Sequence, residues 1–115
     1  MAAEMRKELV DESLSWAEVL AVTGDLDIAA APWFHEIVTS KLAGGLPLVV
    51  DLTACSYLDS TILNVLIRAA NAAPDRVGVV VPLESRIRRI FSITGLEDAL
   101  RLSGSRDELQ VRFSA

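Results

Sequence analysis

The sequence predicts an α/β fold, a sandwich in which helices pack against a mixed, mostly parallel sheet. Short apolar runs rich in β-formers, among them LVVDL at 48–52 and VGVVV at 77–81, alternate with segments of helical period. The gaps between the runs are long enough for a helix to cross over and bring the chain back parallel. The runs are also almost continuously apolar, as in strands covered on both faces. With 115 residues, 51% of them apolar, the chain is expected to form a single domain over 1–115, its core spanning about 16–109. A domain of this size buries roughly two thirds of its unfolded surface, enough to stand without metals or crosslinks.

Residues 6–13 carry a faint signal for an extra strand. Residues 16–23 (WAEVLAVT) read as a strand that stops at Gly24, after which Asp27 or a neighbour caps a helix over 29–42. Phe34, Ile37, Val38 and Leu42 share one face of that helix, and Gly44-Gly45 ends it. Pro47 opens the strand at 48–52. The second helix is expected from Asp59-Ser60 to about 72, stopping before Pro74. Asp59 is its N-cap, because a carboxylate there accepts orphan backbone N–H groups. After 77–81, Pro82 breaks the run and a helix follows over 85–94, ended by Gly95. A short strand at 99–102 and a helix at 105–111 complete the chain.

Charge and composition exclude several classes. With 11 basic and 16 acidic residues the net charge is −5, so no nucleic-acid partner is expected, because such binders carry a basic surface. The basic residues cluster once, at Arg86, Arg88 and Arg89. No apolar run reaches the ~18–20 residues that span a bilayer. The opening MAAEMRKELVDES lacks the apolar core of a signal peptide, so direct membrane insertion is not expected and the location is read as cytoplasmic. Cys55 is the single cysteine and is read as a buried structural thiol.

Catalytic and cofactor chemistry is equally sparse. There is no glycine–lysine phosphate loop and no G-x-G-x-x-G, so no nucleotide cofactor is expected. Gly24-Asp25-Leu26-Asp27 reads as a tight turn and helix cap rather than a phosphate or cation cradle. His35 is the only histidine and is expected on or near the surface; with one His and one Cys, no metal site is expected. Ser60 lies in no G-x-S-x-G elbow, and no enzyme activity is expected.

The informative segment is 48–70, where a buried strand ends, a short loop follows, and Asp59-Ser60-Thr61 opens an apolar helix. Two readings stand side by side. One is ordinary capping. The other is a hydroxyl, Ser60, held at a strand-end edge where the positive end of a helix favours an added phosphate. Likewise Ile62, Val65 and Ala69 widen the apolar face of this helix, either as extra core or as a contact patch.

Four segments together resemble the STAS domain family, and within it the anti-sigma factor antagonists. They are Gly24-Asp25-Leu26-Asp27 with Ala30-Ala31-Pro32, then 48–52 (LVVDL), then Tyr57-Leu58-Asp59-Ser60-Thr61, then 88–96 (RRIFSITGL). The resemblance implies a STAS-type sandwich and a regulatory binding module. Its implied partners are an anti-sigma factor with serine kinase activity, which phosphorylates Ser60, and a phosphatase that resets it. It places Asp25, Asp59, Ser60 and Thr61 among the partner-binding and switch residues. The family motif continues with glycine where this chain has Ile62, which sets bulk at the expected docking surface and bears on both partner and phosphorylation. Two further uses of such domains stand as alternatives: a scaffold subunit of a stress-signalling assembly, or an accessory subunit of a lipid-transport ATPase.

Overall fold

Parallel pairing requires crossovers, and the chain makes two. The computed structural model describes residues 8–114. Strands β2 (Glu18–Leu26), β3 (Leu48–Leu58) and β4 (Val77–Val80) lie parallel, joined by helices α1 (Ala31–Leu42) and α2 (Ser60–Ala72). Strand β1 (Glu8–Ser13) adds antiparallel to the free edge of β2, pairing from Glu8↔Thr23 to Ser13↔Glu18. The sheet order is β1-β2-β3-β4, so the sheet is mixed and mostly parallel. Of the strand expected at 6–13, residues 6–7 lie outside the described residues and the rest is β1.

Two crossovers of one hand in a sheet that grows in one direction put both helices on the same face. Leu20 and Val22 from β2, Leu48, Val50 and Leu52 from β3, and Val77 and Val79 from β4 point to that face. Phe34 and Val38 of α1 and Ile62, Leu63, Leu66 and Ala69 of α2 close over them. Pro32 sits in the first turn of α1, where its missing N–H costs no helical bond. The opposite face carries a smaller cluster, Ala17, Val19, Val49, Val80 and Leu109, covered by α4 (Arg106–Ser114). There the helix comes so close that a Cβ on Gly78 would lie 2.6 Å from a Leu109 methyl carbon.

Several boundaries differ from the sequence reading. The first parallel strand runs past Gly24 to Leu26, and the second past Leu52 to Leu58. A short 3-10 turn, Ile28–Ala30, precedes α1, which begins at Ala31 rather than 29. Helix α3 (Arg88–Thr94) starts three residues later than expected and ends as expected on left-handed Gly95. The strand expected at 99–102 does not form: Arg101 adopts φ 45°, and a single parallel bridge, Val80↔Ser103, remains. Arg88 of the basic cluster donates to the Val81 carbonyl and is structural, whereas Arg86 and Arg89 are exposed.

Candidate functional site

The site grows from an irregularity in β3. Ala21 pairs with Asp51 but Thr23 with Ala54, and Gly24 pairs with Cys55 but Asp25 with Tyr57. Each step inserts one extra residue into β3, so the strand carries two bulges of a kind uncommon in parallel pairs. Gly24, at φ 92°, takes the left-handed conformation that the second irregularity requires. Inward positions in β3 therefore change from every second residue to every third, Leu52, Cys55 and Leu58. Tyr57 is turned outward beside Asp25 and is 48% exposed.

The strand end is then tied to the start of α2. The Asp59 amide donates to the Leu26 carbonyl at 2.9 Å. Asp59 is the N-cap: one carboxylate oxygen accepts from the Thr61 amide at 2.9 Å and the Thr61 hydroxyl at 2.6 Å. The other accepts from the Tyr57 hydroxyl at 3.4 Å. The Thr61 hydroxyl, then its amide, hold the Asp59 carboxyl below its ordinary pKa. Tyr57 is pushed the other way, chiefly by the charge of Asp59, with Asp27 and Asp25 adding to it. Three carboxylates thus bear on one exposed phenol.

Ser60 occupies the first position of α2, exposed, with no hydrogen-bond partner for its hydroxyl among the described residues. The amides of Ile62 and Leu63 already donate to the Asp59 carbonyl at 3.0 and 3.3 Å, and that of Thr61 to its carboxylate. No vacant amide is therefore left for a phosphate at these three positions. What such a group meets first is the neighbouring Asp59 carboxylate.

The structure brings Asp25, Asp59, Ser60 and Thr61 to one edge and separates Ile62 from them. Ile62 is fully buried in the core, so the expectation that its bulk faces a partner is corrected. A side chain two positions past Ser60 has rotated to the sheet side of the helix. Asp27 stands at the cap position of the 3-10 turn but makes no side-chain cap bond, and its Oδ1 is buried without a partner among the described residues. Cys55 is buried, as expected; burial pushes its thiol pKa up, and its Sγ donates to the Tyr57 carbonyl at 3.2 Å.

Sequence reasoning gave no role to Tyr57 or to Ile28, which is 64% exposed on the 3-10 turn. The signal in the sequence is an aromatic two residues before the N-cap, masked because the apolar run reads as ending at 52. Among the described residues no group of three or more His, Cys, Asp or Glu side chains is placed to hold a metal ion. No helix among them is long and apolar enough to cross a membrane.

The family model described as "Mlab, STAS domain" matches residues 10–108. The chain is 34% identical over 91 residues to the anti-sigma-B factor antagonist of Listeria monocytogenes, covering 76% of this chain and 80% of that protein. It is 32% identical over 85 residues to the Staphylococcus aureus protein of the same name, covering 71% and 79%. A crystal structure of an anti-sigma factor antagonist from Mycobacterium paratuberculosis superposes with a TM-score of 0.84 at 25% identity, covering 95% of each chain. The unphosphorylated anti-sigma factor antagonist SpoIIAA shares the fold, with a TM-score of 0.71 at 18% identity over 91% of this chain and 95% of that one. On these grounds the chain belongs to the STAS domain family.

Proposed function

We propose that this protein is an anti-sigma factor antagonist, a non-catalytic module that binds an anti-sigma factor with serine kinase activity and is released when Ser60 is phosphorylated. A phosphatase would restore the binding form. The observation that carries this reading is the placement of Ser60: an exposed, unbonded hydroxyl beside a cap aspartate whose own hydrogen bonds are already made by Thr61. The partner-facing surface comprises Asp25, Asp59, Ser60 and Thr61, with Tyr57 added and Ile62 withdrawn to the core.

The chemistry of release follows from charge. A phosphate adds about −1.5 to −2 beside Asp59, on an edge where Asp25 and Asp27 also raise the local negative potential. The domain tolerates it because the group points to solvent and the helix dipole offsets part of the repulsion. A partner surface shaped for a neutral hydroxyl must desolvate or repel it. Support also comes from the relatives that carry the antagonist name, and from SpoIIAA, whose fold is known in a phosphorylated form as well. Incubation with the cognate kinase and ATP should add the mass of one phosphate, mapping by peptide sequencing to Ser60 and lost in Ser60→Ala. A phosphate mapping elsewhere would overturn this assignment and favour a scaffold role in a stress-signalling assembly.

A further inference from the structure

Helices α1 and α2 leave a groove between them of about 690 Å³. Both helices cross back between parallel strands, so they run side by side in the same direction. At 1.5 Å per residue the 12 residues of α1 make the groove about 18 Å long. Its apolar floor includes Val38, Leu42, Val65 and Ala69.

The charges around this floor are one-sided. Arg68 and Arg76 line it and no carboxylate does, in a chain whose net charge is −5. Arg68 is exposed and has no ion-pair partner among the described residues. Arg76 is fixed at the far end, where one guanidinium nitrogen donates to the carbonyls of Leu42 at 2.6 Å and Leu46 at 3.0 Å. Its Nε is buried and has no partner among the described residues. An apolar trough lined by an exposed guanidinium without an ion-pair partner among the described residues complements a molecule with an apolar tail and an anionic head.

The geometry points to a binding site for a single-chain amphiphilic carboxylate, its tail along the α1–α2 floor and its carboxylate paired with Arg68. The volume lies within the ~300–1,000 Å³ typical of small-molecule sites. A protein partner would need a far larger face, about 800 Å² per side. Guanidinium and carboxylate pair through two parallel hydrogen bonds, which gives the head group its selectivity. The groove is a different surface from the Ser60 edge, although Thr61 lines its end.

The test is a titration of the full chain with laurate below its micelle concentration, followed by backbone amide chemical shifts. Shifts should concentrate in 31–43 and 61–76, and the cationic dodecyltrimethylammonium should bind about tenfold or more weakly. Arg68→Glu should cost laurate about tenfold or more in affinity. Ala72→Trp, which fills the groove from an exposed position, should remove binding. If either variant loses its dispersed spectrum, the laurate and dodecyltrimethylammonium comparison on the parent chain decides alone. Shifts elsewhere, equal affinity for the two amphiphiles, binding only to phosphatidylglycerol vesicles, or folded variants that bind like the parent would each overturn the site.

Discussion

The two faces of the sheet are built to different depths. Under α1 and α2, Leu20, Leu48, Val50, Leu52, Phe34 and Leu66 join in one continuous core that reaches Ile62. Under α4 the buried set shrinks to Ala17, Val19, Val49, Val80 and Leu109. Polar and aromatic contacts complete that shallow face. Arg106 pairs with Asp51 at 2.7 Å, the Trp16 and Phe113 rings lie 5.9 Å apart, and Arg101 stacks 5.0 Å over Phe113. The deep face therefore fixes where α2 begins, and with it the orientation of Asp59 and Ser60. The shallow face holds a helix in place without touching the site.

The largest expected effect lies on the deep face. Ile62→Ala should cost about 2–5 kcal/mol in denaturant unfolding, the range for truncating a large buried aliphatic. Ser60→Ala, in the same helical turn but exposed, should change stability by less than about 0.5 kcal/mol. Comparable costs at both positions would dissolve the distinction between core and display within that turn.

On the shallow face, Gly78→Ala should cost about 1 kcal/mol. The new Cβ must displace Leu109 side-chain carbons that would lie 2.6 and 2.8 Å away and a Phe113 ring carbon that would lie 2.9 Å away. Amide exchange should quicken in α4 and stay unchanged in α2. Loosening of α2 would mean that the two faces are more tightly coupled than their packing indicates.

The shallow face should also carry a pH response. Burial alone would raise the pKa of Asp51, but the Thr53 hydroxyl and amide and then Arg106 outweigh it and hold it below the ordinary value. A folded pKa below the unfolded one gives stability that is complete above the ordinary carboxylate pKa of about 3.9 and is lost as pH falls through the lowered value. Asp51→Asn should therefore flatten part of the acid limb of the stability curve. An unchanged limb would remove Asp51 from the account.

The smallest effect is spectroscopic. The chain has one tyrosine, so the absorbance of tyrosinate reports Tyr57 alone. Asp59→Asn removes the main cause of its raised pKa, and the titration midpoint should move down. A midpoint that stays put would separate Tyr57 from the cap.

Much of this was legible in the sequence where local rules act alone. The start of α2 at Asp59 follows from capping chemistry, and the end of α3 at Gly95 from the left-handed conformation that glycine accepts. The apolar face of α1 follows from its period. The reach of β3 to Leu58 was not legible, because two bulges replace strand alternation with a three-residue spacing that TACSYL shares with no simple template. Tyr57 was missed for that reason. The inward turn of Ile62 was within reach of helical geometry, but its surface placement rested on a family motif that carries glycine there. The missing strand at 99–102 was not legible either, since nothing in ALRL announces the left-handed Arg101.

The central claim is that charge at Ser60, and not a change of fold, decides partner binding. Binding isotherms of the Ser60-phosphorylated chain and of the unmodified chain with the same anti-sigma kinase test it most directly, with thermal melts run in parallel. Phosphorylation should weaken binding by about 30- to 150-fold, equivalent to about 2–3 kcal/mol, while the melting temperature stays close to that of the unmodified chain. Equal affinities, or a loss of affinity that appears only with a collapse of the melting transition, would contradict it.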